Sequence, residues 1–303
     1  MYLAHFGLRE LPFGLTPDTS FFFACSNYQE ALNTLLVAAR NGEGFIKIVG
    51  EVGVGKTLLC HKFLATLNQG NPDGTGKFLT ANIPNPYLEP RSLLLALAQR
   101  FEVTLDENAD QHQMLRGLTL ALLNAAREGR RVLVCLDEAQ AMPLESLEVL
   151  RLLTNLETEK RKLLQVVLFG QPELDVRLGQ NSVRQLRQRI SFQYELKGLR
   201  KGELERYLSH RLNVAGYHRE PLFRRGAVSK IQRVTGGTPR LVNIIAHKAM
   251  LLAYGEGRQQ VLRRHVHAAA ADTPEARRDW NVWAWGATAL AAVGLAAGWM
   301  LTL

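Results

Sequence analysis

Eight consecutive residues carry the first recognisable chemistry: Gly50-Glu51-Val52-Gly53-Val54-Gly55-Lys56-Thr57. The spacing is GxxxxGK[ST], set between the β-branched run Phe45–Val49 and a helical stretch that reaches about Leu67. Such a loop needs glycine because it wraps closely around phosphate and turns its backbone N–H groups inward. The helix that follows adds the positive end of its dipole. The motif predicts nucleotide binding by Gly50, Glu51, Val52, Gly53, Val54, Gly55, Lys56, Thr57 and the adjoining Leu58. Lys56 is expected to bridge the β- and γ-phosphates of ATP, and the Thr57 hydroxyl to ligate Mg2+.

A phosphate loop requires an acidic partner on another parallel strand. The apolar run Arg131–Leu136 ends in Asp137-Glu138, the order of a Walker B element. Asp137 is expected to hold Mg2+ through water, and Glu138 to take the proton of the attacking water as general base. A glutamate beside the metal aspartate points to hydrolysis rather than to nucleotide-gated binding alone. A third run, Leu163–Phe169, ends in Gly170-Gln171, which places Gln171 where it could orient the lytic water and sense the γ-phosphate. Three arginines, Arg184, Arg187 and Arg189, stand just before the last apolar run. Arg189, and after it Arg187, is the candidate finger reaching the site of a neighbouring subunit. Arg240 follows Gly236-Gly237-Thr238-Pro239, in the first turn of a helix. A cation is poorly placed there against the dipole, so Arg240 is read as answering to the bound γ-phosphate.

These residues must be positioned by strands near Lys77–Ala81 and Ile190–Glu195 together with the three already named. Helices are expected near Tyr28–Arg40, Arg91–Phe101, Gln111–Arg127, Leu144–Asn155 and Glu173–Leu178. Alternation of strand and helix predicts the α/β class, a P-loop NTPase with a parallel five-stranded sheet covered by helices on both faces. Further helices are expected near Lys201–Ala215, Arg224–Val234, Pro239–Leu252 and Arg263–Ala271, an all-helical lid. The expected organisation is an α/β domain over 1–197, a helical lid over 198–272, a linker over 273–281 and a transmembrane helix over 282–303.

The chain has 303 residues, 47% hydrophobic and 21% charged, which excludes a disordered tail, a collagen-like fibre or a small disulfide scaffold. Its net charge of +9 is localised. Residues 1–197 balance 21 Lys/Arg against 21 Asp/Glu, residues 198–279 hold 16 against seven, and residues 280–303 hold none. Cys25, Cys60 and Cys135 form no CxxC pair and read as incidental thiols of a reducing compartment. No cysteine or histidine spacing suggests a metal cluster.

The N-terminal sequence MYLAHFGLRELPFG lacks the basic and apolar regions of a signal peptide. Residues 282–303 are uncharged, and a helix of that length reaches roughly 33 Å, enough to cross a bilayer core. Trp280, Trp283 and Trp285 cluster at one end of it and Trp299 near the other, as interfacial belts require. Arg277 and Arg278 precede it, so residues 1–279 are expected on the cytoplasmic side. Gly294 and Gly298 form a GxxxG within it, a spacing compatible with helix pairing. The basic segment 198–279 is expected to face anionic lipid and acidic faces of neighbouring subunits. DNA is the less favoured partner, because no winged helix or helix-turn-helix is recognisable after the lid.

Together the P-loop, the Asp-Glu pair, the polar strand tip, the arginines and the Gly-x-Pro-Arg lid sequence resemble an AAA+ ATPase. FGLRELPFGLTPD, GEVGVGKT, PNPYLEP, CLDEAQAMP, LLTNLETEKRKLLQVVLFGQPELD, LRQRI, GGTPRLVN and LLAYGEG resemble the secretion-associated ExeA/GspA family over about residues 1–272. The resemblance implies ATP and Mg2+, a ring-like homo-oligomer, and pilus or secretion assembly proteins of the bacterial inner membrane as partners. It implies Lys56 and Thr57 in the P-loop roles, Asp137 and Glu138 as Walker B, Gln171 as sensor 1, Arg189 as finger and Arg240 as sensor 2. The expected activity is ATP hydrolysis that supports assembly of an envelope-spanning machine. A DNA-associated ATPase of the transposition or initiator type, or a non-hydrolysing ATP-gated scaffold, is the alternative.

Overall fold

The computed structural model describes residues 2–16, 18–69, 77–84, 87–105, 109–158 and 161–277. They form two compact units, residues 17–197 and a second unit that joins residues 1–16 to the chain after 197.

In the first unit, strands β1 (Phe45–Val49), β2 (Phe78–Ile83), β3 (Arg131–Leu136), β6 (Leu164–Gly170) and β7 (Ile190–Glu195) form one sheet in the order β2-β3-β6-β1-β7. Every pairing in that sheet is parallel. Strands β4 (Glu157–Thr158) and β5 (Arg161–Lys162) make a separate short antiparallel pair. The expected five-stranded parallel sheet is thus present. All five residues of β1 and all seven of β6 are buried, as their near-continuous apolar character requires of strands covered on both faces. The edge strand β7 instead alternates half-buried with exposed positions.

Among the described residues this unit contains α2 (Ser26–Asn41), α3 (Lys56–Asn68), α4 (Pro90–Arg100), α5 (Gln111–Arg127), α6 (Leu144–Thr154), α7 (Glu173–Leu178) and α8 (Arg184–Arg187). Strand side chains alternate between faces. Val132, Val134 and Leu136 of β3, with Val166 and Leu168 of β6, join one apolar core with Leu93, Leu118 and Leu147 of α4, α5 and α6. The alternate residues Leu133, Cys135, Val167 and Phe169 are equally buried, and α2 and α3 pack against the sheet and each other. Cys25, Cys60 and Cys135 are buried and unbridged. Burial pushes the Cys135 thiol well above its ordinary pKa.

The second unit contains α9 (Glu203–Val214), α10 (Arg225–Thr235), α11 (Pro239–Gly255) and α12 (Arg263–Ala271), followed by a 3-10 turn at Pro274–Arg277. Gly236 and Gly237 end α10 with φ of 57° and 82°. A Cβ on Gly237 would lie 2.2 Å from the Leu199 carbonyl oxygen, so only glycine fits. Pro239 then opens α11 at its first turn, where its missing N–H is harmless.

The sequence places residues 1–16 with the α/β domain, whereas in the structure they group with the helical unit. α1 (Tyr2–Phe6) and the segment after it pack on the helical unit. Tyr2 Oη hydrogen-bonds His247 Nδ1 at 2.9 Å, the Arg9 N–H donates to the Ala215 carbonyl at 2.8 Å, and the Phe13 ring meets Phe223 edge-on. Arg211, buried in α9, donates from Nε to the Pro12 carbonyl at 2.5 Å and from Nη1 to the Tyr207 hydroxyl at 3.1 Å. A five-residue helix has too little periodicity to declare its partner; Tyr2, Phe6, Leu8 and Phe13 are buried, with α1 packed on α11 and Phe13 on Phe223.

Among the described residues, no helix is long and apolar enough to cross a membrane. The expected transmembrane helix, residues 282–303, lies outside the described residues.

Hydrogen bonds to a charged group contribute about 1.5–3 kcal/mol, roughly ten- to hundredfold in an opening equilibrium. Arg211→Met is therefore expected to speed hydrogen exchange of the Arg9 amide by about that factor. Unchanged protection at Arg9 would show that Arg211 does not hold the N-terminal segment.

Candidate nucleotide site

The phosphate loop leaves the buried end of β1. The Gly50 N–H donates to the Gly170 carbonyl at 3.1 Å, tying the loop to the tip of β6. A Cβ on Gly50 would stand 2.6 Å from the Leu196 carbonyl oxygen. Gly53 and Gly55 take φ of 80° and 99°, values that side chains with a Cβ rarely adopt. The Tyr28 hydroxyl on α2 donates to the Val54 carbonyl, and a Cβ on Gly55 would sit 2.0 Å from that hydroxyl oxygen. Gly55 caps α3, and Lys56, Thr57 and Leu58 form its first turn, whose N–H groups have no intrahelical acceptor.

Lys56 is buried and donates from Nζ to the carbonyls of Gly50 at 2.8 Å and Glu51 at 3.1 Å. Burial lowers its pKa, while Glu138 and Asp137 pull it back up. The ammonium is thus held over the loop beside two acids.

Asp137 follows β3 directly and is 4% exposed. Its Oδ2 accepts from Thr57 Oγ1 at 2.5 Å, and its Oδ1 accepts from the Glu138 N–H at 3.0 Å. Burial raises its pKa, and those two hydrogen bonds oppose the rise. A hydroxyl and a carboxylate oxygen at this distance suit a hard, oxygen-preferring cation such as Mg2+. Among the described residues there is no group of three or more His, Cys, Asp or Glu that could hold a metal by itself.

Glu138 takes φ 53° and ψ 38°, a left-handed conformation that costs a residue with a Cβ on the order of 1–2 kcal/mol. Its Oε2 accepts from Gln171 Nε2 at 2.9 Å and from Gln140 Nε2 at 2.6 Å. The Gln171 N–H in turn donates to Gln140 Oε1 at 3.0 Å.

Parallel register explains the convergence. Val49 pairs with Gly170 and Leu136 with Leu168, so the C-terminal tips of β1, β6 and β3 share one sheet edge. Ligands of open α/β sheets bind at such an edge. Lys56, Thr57, Asp137, Glu138 and Gln171 are brought together there. Arg189 is not: it precedes β7, and Ile190 pairs with Phe45 at the opposite end of β1. Five residues of strand separate the two edges, roughly 16 Å. Arg187 is exposed and Arg189 half-buried. Arg240 is exposed in the first turn of α11, within the helical unit.

Sequence reasoning missed two residues of this site. Tyr28 lies within an expected helix and carries no local sign that it would meet the loop. Gln140 stands two positions after Glu138, and an amide that close to the acidic pair was the available signal.

Gly55→Ala is expected to displace the loop and weaken binding of a fluorescent ADP analogue at least tenfold, with secondary structure unchanged. Affinity equal to wild type would show that the glycine geometry is not required for binding.

Residues 39–178 match the family model described as AAA domain. The chain is 38% identical over 301 residues to General secretion pathway protein A of Aeromonas hydrophila, covering 99% of this chain and 53% of that protein. It therefore spans about half the length of this curated relative. Among solved structures it resembles the ADP form of the ORC2 protein of Aeropyrum pernix, with a TM-score of 0.61 at 18% identity, covering 84% of this chain and 73% of that one. It also resembles Cdc6p of Pyrobaculum aerophilum, with a TM-score of 0.62 at 17% identity, covering 84% and 70%. At these identities the structural likeness concerns the fold alone. Residues 39–178 are thus similar to the AAA domain, within a sequence that is similar over 99% of its length to part of a secretion-pathway protein.

Proposed function

We propose that this chain is an AAA+ ATPase of the ExeA/GspA group that hydrolyses ATP to support assembly of an envelope-spanning machine. The observation that carries the reading is the meeting of Lys56, Thr57, Asp137, Glu138 and Gln171 at one sheet edge. The loop N–H groups and Lys56 bind the phosphates and spread their charge. Thr57 and Asp137 would hold Mg2+, which when bound neutralises charge on the phosphate oxygens. Glu138 takes a proton from the attacking water, and Gln171, bonded to the same carboxylate, orients that water. Arg189 serves a neighbouring copy, since its own loop lies at the far edge of the sheet. The working form is accordingly a homo-oligomer, with a ring the simplest closed arrangement. Arg240 senses the γ-phosphate from the lid.

The relation to General secretion pathway protein A supports work in a type II secretion or pilus system at the bacterial inner membrane. The short motifs, CLDEAQAMP and GGTPRLVN among them, resemble those of the MSHA pilus biogenesis ATPase MshM, which favours a pilus. The uncharged, tryptophan-flanked residues 282–303 support a single-pass anchor with the ATPase domain in the cytoplasm. The excess of 16 basic over seven acidic residues in 198–279 supports contact with anionic lipid beside that anchor.

The oligomeric full chain is expected to turn over ATP with Mg2+, Lys56→Ala to lose nucleotide binding, and Glu138→Gln to bind ATP but hydrolyse it about a hundredfold or more slowly. Mixing Arg189→Ala with Lys56→Ala chains should restore part of the activity each lacks. Full turnover in Glu138→Gln would reject the assigned base, and no recovery on mixing, with Arg189→Ala fully active alone, would reject the finger.

The full chain is also expected to remain with membranes through carbonate extraction, and residues 1–279 to be released. Release of both would remove the anchor from the proposal.

A further inference from the structure

We propose that Gln140 is a positioning residue for Glu138: its side-chain amide decides which carboxylate oxygen is left to take the proton of the attacking water. The inference rests on the reading of Glu138 as base. Glu138 Oε2 is taken by two amide donors, Gln140 Nε2 at 2.6 Å and Gln171 Nε2 at 2.9 Å. Among the described residues no hydrogen bond reaches Oε1, so the acceptor capacity that remains lies there.

The orientation of the Gln140 amide is itself dictated. One end faces a carboxylate, which only accepts, and the other faces the Gln171 N–H, which only donates. Turning the amide over would break both bonds, so the two neighbours leave one arrangement. Gln140 thereby ties the base to the tip of β6. Its backbone belongs to the 3-10 turn Ala139–Ala141, closed by the Ala141 N–H on the Glu138 carbonyl at 2.9 Å. That turn follows a glutamate held in the left-handed region, so the carboxylate depends on side-chain donors for its direction.

In the step this serves, Glu138 Oε1 accepts a proton from water as the water oxygen forms its bond to the γ-phosphorus. The bond from that phosphorus to the bridging oxygen breaks, and its electron pair leaves on ADP. Glu138 then releases the proton to solvent with the phosphate. Gln140 touches none of the reacting atoms; it acts through Glu138.

The test uses the full-length oligomeric chain with Gln140→Met, which removes both polar ends at similar length, and Gln140→Glu. The second variant keeps an acceptor for the Gln171 N–H but sets a carboxylate against Glu138. Both are expected to lower kcat about ten- to hundredfold, a fraction of what a general base contributes. The KM for ATP, and the Kd for ATP measured by direct binding, should stay within about twofold of wild type. In a Glu138→Gln background, single-turnover rates should show little further loss from Gln140→Met, because both changes remove one device. Wild-type kcat in both variants would overturn the proposal. So would parallel losses of affinity and kcat, the mark of a generally loosened site. A wild-type chain that binds ATP but never hydrolyses it would fail earlier, on the ATPase reading itself, and take this inference with it.

Discussion

The hydrogen bond between Thr57 Oγ1 and Asp137 Oδ2 joins two segments separated by 80 positions in the chain. It is 2.5 Å long and closes the space between the start of α3 and the tip of β3. A buried carboxylate is costly to ionise, and the rise in the Asp137 pKa expresses that cost. Two donors, the Thr57 hydroxyl and the Glu138 N–H, offset it without cancelling it. What is a liability for folding is also what makes the site suited to a hard cation. The same holds for Lys56, whose ammonium is desolvated and steadied by loop carbonyls and nearby acids.

That bond is maintained by the sheet. β1 lies between β6 and β7, with all five residues buried, and cannot slide without moving its apolar side chains out of register with two neighbours. Its loop is pinned on several sides: by the Gly170 carbonyl, by the close approach of Leu196 to Gly50, and by the Tyr28 hydroxyl on Val54. Each contact requires a glycine or a short approach that a Cβ would block. The parallel order also separates the candidate residues along the strands. Lys56, Thr57, Asp137, Glu138 and Gln171 collect at the C-terminal edge, while Arg189 stands at the other.

The helical unit is assembled on different terms. Its closure depends on a short N-terminal segment laid against α9 and α11, with Arg211 donating into backbone carbonyls of that segment. Burial lowers the pKa of His247 and pushes that of Tyr2 up to about 12, so this pair meets as neutral partners near neutral pH. Here the buried Arg211 and Tyr2 are matched to backbone carbonyls and a ring nitrogen. In the α/β unit the buried Lys47 is paired with Asp175, whereas the buried Lys56 and Asp137 sit at the candidate site, where full satisfaction within the protein would leave little to bind with.

Local sequence was sufficient wherever a residue's conformation and place follow from its immediate neighbours. The spacing of Gly50, Gly55, Lys56 and Thr57 declared a phosphate loop, because a tight turn and a helix start are short-range demands. The apolar runs at β1, β3 and β6 declared buried strands, and the polar residues ending them, Asp137, Glu138 and Gln171, declared the site edge. Gly236, Gly237 and Pro239 marked the end of one helix and the start of the next for the same reason. Other features belong only to the folded chain. The attachment of residues 1–16 to α9 and α11, the Tyr28 hydroxyl over the loop, and the Gln140 amide bridging Glu138 and Gln171 all depend on partners distant in sequence. Hydrophobic period and turn chemistry describe what a segment can become; which surface it meets is set by strand order and register, and those exist only once the sheet has closed.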